Sequence, residues 1–358
     1  MTSSKPSRVA IIGATGYSGE ELVRILLHHP GVDLALVTSR PNAGQTVAQV
    51  YPKFAHHPKA RSLKFVEPDA AKVAREADLA FLALPHGVAA EYALPLLEAG
   101  CRVIDLSADF RLRDAQTYEE FYGHEHPAPG WLEKAVYGLP EVYRDQIREA
   151  SLIASPGCYP TSILLPVLPL VRDRLIHPSS VIASSMSGVS GAGRKAELDY
   201  LFCECNESVR AYGVPKHRHL SEIEQEISLA AGEKTTIQFV PHLIPVNRGI
   251  HTTIYAAPVP DLRSPEAREN FEAAVKASWS QAYSSEPFVR LLDGKNLPDT
   301  KNVVGSNLID IACRLDARTG RLLIFSAEDN IVKGAGGQAV QSMNILCGLP
   351  ETMGLLAG

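Results

Sequence analysis

One cysteine stands in a setting that suits covalent chemistry. Cys158 lies in residues 155–161 (SPGCYPT), directly after an apolar run at residues 152–154 that predicts a buried strand. Pro160 suits the first position of a helix, so we predict a strand, a tight turn and then a helix. A thiol just ahead of a helix N-terminus meets the positive end of the helix dipole, which favours the reactive thiolate. We therefore predict that Cys158 is a nucleophile.

The other cysteines carry no comparable signal. They stand at positions 101, 203, 205, 313 and 347, without the dense spacing of a disulfide scaffold. Cys203 and Cys205 have no second Cys or His pair at zinc-site spacing, so we predict ordinary thiols and no metal. This cysteine usage predicts a reducing, cytoplasmic compartment.

Two histidines offer proton transfer. His217 and His219 lie in residues 213–224 (GVPKHRHLSEIE), before a helical pattern that Ser221 and Glu224 open as a capping box. One interpretation is a general acid or base that serves the thiol, and another is a pair of inert, exposed side chains. A metal site is the weakest interpretation, because no third ligand follows at suitable spacing. The sequence barely separates the two histidines.

A glycine-rich loop predicts dinucleotide binding. Residues 13–19 (GATGYSG) join an apolar run at residues 9–12 to a helical pattern at residues 20–27. Glycines at such a turn let backbone N–H groups approach a pyrophosphate, which the helix N-terminus also attracts. The next strand ends in Ser39 and Arg40, without the acidic residue that binds the ribose of NAD. A hydroxyl and a guanidinium suit a 2′-phosphate, so we predict NADP.

The elements that position these residues predict two domains. Strands are predicted at residues 9–12, 32–37, 78–84, 101–106, 152–154, 181–185, 235–240, 252–257, 308–315 and 321–326, and helices at 20–27, 88–98, 221–230, 265–282 and 334–347. Strand and helix alternate in the first 150 residues, which predicts a parallel, doubly wound α/β sheet. From about residue 179 the pattern indicates a second, α+β domain with a mixed, mostly antiparallel sheet. Pro166 and Pro169 conflict with the helix predicted after the cysteine, and the sequence does not resolve this conflict.

Length, composition and charge define the broad class. The chain has 358 residues, a formal net charge of −5 and 45% hydrophobic residues. This length can bury two cores, and the mildly acidic balance argues against a general nucleic-acid or membrane surface. No apolar stretch is long enough to span a bilayer, and residues 1–8 do not resemble a secretory signal. We therefore predict a cytoplasmic protein with a small-molecule substrate.

Five motifs together resemble the N-acetyl-γ-glutamyl-phosphate reductase family of arginine biosynthesis. They are residues 13–20 (GATGYSGE), 155–161 (SPGCYPT), 187–193 (SGVSGAG), 217–219 (HRH) and 330–334 (NIVKG), in the family's order over nearly the whole chain. The resemblance implies a Rossmann-like NADP-binding domain, residues 1–157 with 330–358. It also implies a catalytic, substrate and dimerisation domain, residues 158–329, and a homodimer or homotetramer.

The resemblance further implies roles for individual residues. Cys158 forms a thioester with the substrate acyl group, His217 is the acid or base, and His219 supports it. Substrate contacts are expected at Arg111, Ser155, Ser187 and Glu222, and cofactor contacts at Gly13, Thr15, Gly16, Tyr17, Ser18, Gly19, Ser39, Arg40, Pro85, Ser107, Gly188, Asn330, Lys333 and Gly334. For Arg111 a salt bridge with Asp109 or Asp114 remains the alternative.

Two other functions stay open at this point. One is a different enzyme of the same architecture, an aspartate-semialdehyde dehydrogenase or an amino-group-carrier-linked reductase of lysine synthesis. The other is a non-catalytic NADP-binding sensor, which needs no activated thiol. Aspartate-semialdehyde enzymes typically carry an Asn before the cysteine, where this chain has Gly157. That difference favours N-acetylglutamyl phosphate as the substrate.

Overall fold

The computed structural model describes residues 6–194 and 196–356. In it the chain forms two compact units and passes from one to the other more than once. Unit 1 comprises the described part of Met1–Glu119, His124–Pro156 and Ala335–Gly358. Unit 2 comprises the described part of Glu120–Gly123 and Gly157–Gly334. The main crossings therefore fall immediately before the predicted nucleophile and after the last glycine of the 330–334 motif.

Unit 1 is built on a seven-stranded parallel sheet. The elements up to residue 156 are β1 (Ser7–Ile12), α1 (Tyr17–Leu27), β2 (Val32–Thr38), α2 (Val47–Val50), α3 (Pro58–Ser62), β3 (Phe65–Val66), α4 (Ala70–Glu76), β4 (Leu79–Leu82), α5 (Ala89–Glu98), β5 (Arg102–Asp105), α6 (Ala115–Tyr122), β6 (Val136–Tyr137), α7 (Pro140–Glu149) and β7 (Leu152–Ala154), with 3₁₀ turns at Pro52–Phe54 and Pro129–Trp131. The strand order is β3-β2-β1-β4-β5-β7-β6, and every neighbouring pair is parallel. The order reverses between β1 and β4, so the predicted doubly wound α/β sheet is confirmed.

Unit 2 contains a second seven-stranded sheet of mixed direction. Its elements are α8 (Cys158–Arg172), β8 (Ile182–Gly188), α9 (Phe202–Cys205), β9 (Arg210–Ala211), α10 (Arg218–Ala231), β10 (Gln238–Ile244), β11 (Ile250–Ala256), α11 (Pro265–Tyr283), β12 (Val289–Leu291), β13 (Ile309–Asp316) and β14 (Arg321–Glu328), a π-helical turn at Val332–Gly336, and 3₁₀ turns at Pro178–Ser180, Val189–Ala192, Leu198–Tyr200 and Thr300–Asn302. The strand order is β12-β13-β14-β11-β8-β10-β9. Only the β8–β10 and β12–β13 pairs are parallel. The predicted mixed, mostly antiparallel sheet is confirmed.

The last helix of the chain, α12 (Gly337–Leu346), completes unit 1. Arg102, at the start of β5, donates from Nη1 to the carbonyl of Leu346 at 2.9 Å. His29 Nε2 lies 2.9 Å from Asn344 Oδ1, which joins the end of α1 to α12 by a buried hydrogen bond. Within the described residues, no helix is long and apolar enough to cross a membrane.

The helix that starts at the predicted nucleophile is unbroken despite its prolines. α8 continues through Pro166 and Pro169, and almost all of its side chains are buried. Each proline lacks the N–H that would bind the carbonyl four residues earlier, so a buried acceptor loses its helical partner. For Pro166 that acceptor is the carbonyl of Ser162. The hydroxyl of Ser326, on β14, donates to this carbonyl at 2.6 Å.

The second proline is compensated from a neighbouring helix. The acceptor freed by Pro169 is the carbonyl of Leu165, and the hydroxyl of Tyr283 at the end of α11 donates to it. One turn earlier, Trp279 Nε1 donates to the carbonyl of Pro166 at 2.9 Å. Both aromatic side chains are buried. The donors that keep α8 helical therefore lie more than a hundred residues away in sequence, which is why local patterns left the conflict open.

Removal of either compensating hydroxyl should destabilise unit 2. Tyr283→Phe and Ser326→Ala each leave a buried carbonyl without that donor, which we expect to lower the free energy of unfolding by about 1–3 kcal/mol. Tyr255→Phe is the matched control, because Tyr255 on β11 is 41% exposed and water can replace its hydroxyl contacts. Urea unfolding measures the difference. Equal stability of Tyr283→Phe and Tyr255→Phe would contradict this account of α8.

Candidate functional site

The glycine loop of unit 1 has the form of a phosphate cradle. Gly13 has φ +88°, and a Cβ there would lie 2.4 Å from the carbonyl oxygen of Ala83. A Cβ on Gly19 would lie 2.4 Å from the carbonyl oxygen of Gly13. Gly16 is the N-cap of α1, and no side chain of the described residues caps that helix. Because the loop ends β1 beside β4, where the strand order reverses, it lies where such sheets bind ligands.

The residues predicted to select the cofactor follow β2. Ser39 is buried, its hydroxyl lies 3.1 Å from Thr15 Oγ1, and it accepts from Asn42 Nδ2 at 3.1 Å. Arg40 is exposed and donates from Nη2 to the hydroxyl of Tyr92 at 3.5 Å. The serine hydroxyl is thus engaged within the loop, whereas the arginine offers a solvent-facing cation. These residues lie where the ribose end of a dinucleotide binds in sheets of this kind.

The loop after β5 holds a buried carboxylate pair. Ser107 donates from its hydroxyl to Asp105 Oδ2 at 2.8 Å, and Ser107 Oγ itself accepts the Asp109 N–H at 3.1 Å. Burial, followed by the Asp109 charge, raises the pKa of Asp105 to about 7. Ser107 is therefore part of the framework of this loop. Pro85, the other cofactor contact predicted near here, is exposed after β4.

Arg111 and Ser155, two predicted substrate residues, lie together in unit 1. Arg111 donates from Nε to the carbonyl of Ser155 at 2.7 Å and from Nη2 to the carbonyl of Leu106 at 2.9 Å. The guanidinium is 6% exposed, so it is held at the edge of the parallel sheet. Ser155 Oγ is buried and has no hydrogen-bond partner among the described residues. A polar ligand group at this edge would satisfy that hydroxyl.

Cys158 is the first residue of its helix rather than a residue ahead of it. The expectation that the helix starts at Pro160 is wrong, because the carbonyl of Gly157 already accepts the N–H and the hydroxyl of Thr161, each at 3.2 Å. Gly157 is thus the N-cap, and its own N–H donates to Glu222 Oε1 at 2.8 Å. The thiol side chain therefore projects from the first turn of a fifteen-residue helix.

A second glycine packs against the thiol residue. A Cβ on Gly334 would lie 2.8 Å from Cys158 Cβ and 3.0 Å from Glu328 Oε1. Gly334 belongs to the π-helical turn Val332–Gly336, and its N–H donates to the carbonyl of Asp329 at 2.9 Å. Single π-turns often occur at functional sites. Gly334, expected as a cofactor contact, lies here as close packing behind the nucleophile.

α10 starts three residues earlier than the sequence pattern indicated. Its N-cap is His217, whose Nδ1 accepts the His219 N–H at 3.1 Å. The predicted capping box is wrong, because the hydroxyl of Ser221 donates to the carbonyl of Arg218 at 2.8 Å and Glu224 binds an N–H ahead of β10. Histidine is an uncommon N-cap residue, so the pattern was missed. With Nδ1 as the acceptor, the neutral ring of His217 carries its proton on Nε2.

The two histidines occupy different positions near the thiol. A Cβ on Gly157 would lie 2.6 Å from His219 Nε2, so the His219 ring covers the N-cap of α8. The His217 ring is surrounded by other rings, with centroid distances of 5.7 Å to Tyr159, 5.4 Å to Tyr212 and 4.9 Å to His219. His219 is therefore beside the residue that precedes the thiol, and His217 lies in an aromatic cluster. The division of roles between them stays a prediction.

The remaining predicted residues of unit 2 are buried in its framework. Ser187 donates from its hydroxyl to the carbonyl of Gly188 at 3.0 Å. Asn330 Oδ1 accepts a backbone N–H from the turn before β11 at 2.8 Å. Lys333 is fully buried, with Nζ 5.9 Å from the centre of the Phe288 ring. Ser187 and Asn330 thus hold a strand end and a turn of unit 2 in place, and Lys333 is buried beside Phe288.

Sequence reasoning missed three residues of this site. The hydroxyls of Tyr159 and Tyr212 lie 2.8 Å apart, and burial raises the pKa of both phenols. Glu328 is fully buried at the end of β14 beside Gly334. A glutamate that closes an apolar strand pattern, residues 322–328 (LLIFSAE), is the one signal that could have revealed it. Across residues 6–194 and 196–356, no group of three His, Cys, Asp or Glu side chains could hold a metal ion.

Comparison with known proteins assigns the chain to a family. The family model described as "Semialdehyde dehydrogenase, NAD binding domain" matches residues 8–150, and "Semialdehyde dehydrogenase, dimerisation domain" matches residues 158–330. The N-acetyl-gamma-glutamyl-phosphate reductase of Akkermansia muciniphila is 57% identical over 98% of this chain and 99% of its own. That of Geobacter metallireducens is 50% identical over 97% of each chain. The chain belongs to the N-acetyl-gamma-glutamyl-phosphate reductase family.

Solved structures agree on the fold at much lower identity. Aspartate semialdehyde dehydrogenase II of Vibrio cholerae has a TM-score of 0.71 at 18% identity, covering 96% of this chain and 99% of its own. The aspartate semialdehyde dehydrogenase of Candida albicans, solved with NADP, has a TM-score of 0.67 at 16% identity, covering 95% and 98%. The family of this chain therefore shares its architecture with the semialdehyde dehydrogenases.

A methyl group at Gly334 should disturb the thiol turn. Gly334→Ala places a Cβ too close to Cys158 Cβ, so either the π-helical turn or the start of α8 must move. We expect a several-fold lower rate of Cys158 alkylation by iodoacetamide, measured by mass spectrometry. Gly130→Ala is the matched control, since a Cβ there has no neighbour within 4 Å among the described residues. Wild-type alkylation of Gly334→Ala would show that this packing does not set the thiol's position.

The buried histidine cap should make stability depend on pH. Burial, followed by the Arg218 charge, lowers the pKa of His217 to about 4, against an ordinary value of about 6.5. The unfolded chain then binds more protons between these values, so the free energy of unfolding falls as pH falls from about 6.5 to about 4. His217→Asn keeps a good N-cap residue without this titration and should flatten that decline. Identical pH profiles in urea unfolding would refute the assignment.

Proposed function

We propose that this chain uses NADPH to reduce N-acetyl-γ-glutamyl phosphate to N-acetylglutamate 5-semialdehyde and phosphate, through a thioester on Cys158. The observation that carries the proposal is the placement of Cys158 at the first position of α8, between the glycine N-cap covered by His219 and the close packing of Gly334. Membership in the reductase family supports the choice of reaction. An NADP-binding sensor would have no use for this arrangement.

The first chemical step takes place at the sulfur. The Cys158 thiolate attacks the carbonyl carbon of the acyl phosphate, a C–S bond forms, and phosphate leaves with the electrons of the C–O bond. The first turn of α8 favours the thiolate through the positive end of its dipole. The hydrogen bond from the Gly157 N–H to Glu222 fixes the turn that carries the sulfur. Glu222 therefore acts by holding backbone rather than by binding an ammonium group.

The second step reduces the thioester. NADPH supplies the hydride when it is bound. Hydride addition leaves a negative charge on the former carbonyl oxygen, and the Nε2–H of neutral His217 can donate a hydrogen bond to that oxyanion, because Nδ1 accepts from the His219 N–H. His217 acts as the acid or base, and His219, over Gly157, supports it. Collapse of the tetrahedral intermediate breaks the C–S bond, so the semialdehyde leaves and the thiolate returns.

The cofactor is assigned mainly to one part of the chain, whereas substrate contacts are assigned to both parts. Residues 1–157 with 330–358 bind NADP, the glycine loop taking the pyrophosphate and Arg40 the 2′-phosphate. Residues 158–329 provide catalysis, substrate binding and the contacts of a homodimer or homotetramer. The matched dimerisation-domain family supports the last point.

The acetylated substrate suits the polar groups of the chain. A free aminoacyl phosphate carries an ammonium group, whereas an acetylated nitrogen is neutral and needs hydrogen bonds. Residues 187–193 (SGVSGAG) are rich in hydroxyl and backbone groups for such an amide. Arg111 supplies a cation for the substrate carboxylate, and Ser155 Oγ is a buried hydroxyl without a partner in the described chain.

The test of this function compares two aldehydes in the reverse direction. With NADP and phosphate, N-acetylglutamate semialdehyde should be oxidised faster than aspartate semialdehyde. Cys158→Ala should abolish this activity while NADP binding by calorimetry is retained, because the thiol takes part in covalent chemistry only. Cys203→Ala, at an exposed thiol, is the control and should retain most activity. Faster oxidation of aspartate semialdehyde would overturn the substrate, and an active Cys158→Ala variant would overturn the mechanism.

The cofactor preference depends on Arg40. Arg40→Asp replaces the cation at the end of β2 by a carboxylate that repels a 2′-phosphate and can accept from a ribose hydroxyl. We expect at least about tenfold weaker NADP binding, by about 1.4 kcal/mol or more, and a smaller difference between NADP and NAD. Arg61→Asp, at another exposed arginine of unit 1, should leave both affinities unchanged. Equal binding of NADP and NAD by the wild type would refute the preference.

A further inference from the structure

A four-residue segment of unit 2 interrupts unit 1. This segment, Glu120–Gly123, includes the end of α6, while Glu119 and His124 on either side belong to unit 1. We call it the strap. It contacts residues 213–219, the histidine loop, which runs through the N-cap His217 into the first turn of α10, where His219 lies. No part of the proposed reaction uses the strap.

Lys216 joins the histidine loop to the strap by three contacts. Its Nζ pairs with Glu120 Oε1 at 2.9 Å, donates to the Glu120 carbonyl at 3.1 Å and lies 4.7 Å from the centre of the Phe121 ring. The Lys216 and Glu120 side chains are 46% and 63% exposed, so their ion pair alone contributes little. The Glu120 carbonyl and the Phe121 ring fix the position of the Lys216 ammonium group, because both belong to the last turn of α6.

Arg218 repeats this contact on the other side of His217. Its guanidinium carbon lies 5.9 Å from the centre of the Tyr122 ring. The rings of His217 and His219 contact Tyr159 instead, with centroid distances of 5.7 and 5.9 Å. The segment thus alternates, with residues 216 and 218 on the strap and residues 217 and 219 against the residue that follows the nucleophile.

We propose that the strap is a positioning element, which holds Lys216 and Arg218 so that His217 and His219 are kept at the turn of Cys158. Gly213 has φ +62°, and a Cβ there would lie 2.9 Å from His217 Cδ2, so the loop closes on itself through a glycine. Lys216, Phe121 and Tyr122 are then positioning residues. The effect on catalysis rests on the proposed function, whereas the effect on the histidines does not.

The test removes the contact between Lys216 and the strap and leaves the proposed reacting groups unchanged. Lys216→Met keeps the length of the side chain and removes its charge. The groups that face His217 are Tyr159, Tyr212, His219, Phe239 and Arg218, all unchanged in this variant. We expect more water at the ring, hence a rise of about one unit in the pKa of His217 by NMR titration. We also expect about a tenfold fall in kcat with KM within about twofold.

Two further variants separate positioning from general damage. Lys216→Arg can restore both the ion pair and the ring contact, so it should return the His217 titration and kcat towards wild type. Lys134→Met removes a like contact in unit 1, where Nζ lies 4.8 Å from the centre of the Trp131 ring, and should change neither. Equal losses in Lys134→Met and Lys216→Met would overturn the proposal.

The outcomes also distinguish the strap from the proposed function. If the wild type is active and the pKa of His217 is unchanged in Lys216→Met, the positioning role of the strap is refuted and the proposed reductase function stands. A shifted titration in a chain whose wild type reduces no acyl phosphate would keep the strap and overturn the reductase. A fall in kcat without any change at His217 would place the effect of Lys216 elsewhere and so overturn the strap.

Discussion

Two close approaches of backbone to side chain surround Cys158, and much of unit 2 is arranged around them. Gly157 lies against the His219 ring, and Gly334 lies against Cys158 Cβ and Glu328. Neither position has room for a Cβ. The start of α8 can therefore pack directly against the start of α10 on one side and against the π-helical turn on the other. Cys158 is thereby held by close packing, together with the hydrogen bond from the Gly157 N–H to Glu222. Its position therefore depends on two residues that have no side chain.

The buried helix behind this turn is held by polar groups of its surroundings. Besides the donors to its freed carbonyls, α8 takes part in a chain of hydroxyls. Ser162 Oγ lies 2.8 Å from Thr252 Oγ1, which lies 2.8 Å from Ser185 Oγ. This chain runs from α8 through β11 to β8. Because unpaired buried hydroxyls are costly, the helix cannot slide along the sheet without losing several of these bonds together.

The sequence predicted the architecture well and the site only in part. Apolar runs of strand length, with or without helical patterns between them, predicted both sheets, since these signals are local. The cap by His217 could not be predicted, because a ring nitrogen at an N-cap has no common pattern. The role of Glu222 depends on an N–H sixty-five residues earlier in the chain. Tyr283 and Ser326 likewise act on carbonyls that only the tertiary fold brings to them.

The assignment of α12 to unit 1 has a consequence for how the chain is made. Unit 1 contains residues from the beginning of the chain and the last helix, which Arg102 and His29 hold by hydrogen bonds. During translation, all of Gly157–Gly334 leaves the ribosome before α12 does. Until α12 is synthesised, the surface of unit 1 that this helix buries has no cover, whereas every residue of unit 2 has already been made. Ribosome stalling or truncation ahead of residue 337 therefore leaves apolar surface of unit 1 exposed, which favours aggregation and binding by chaperones.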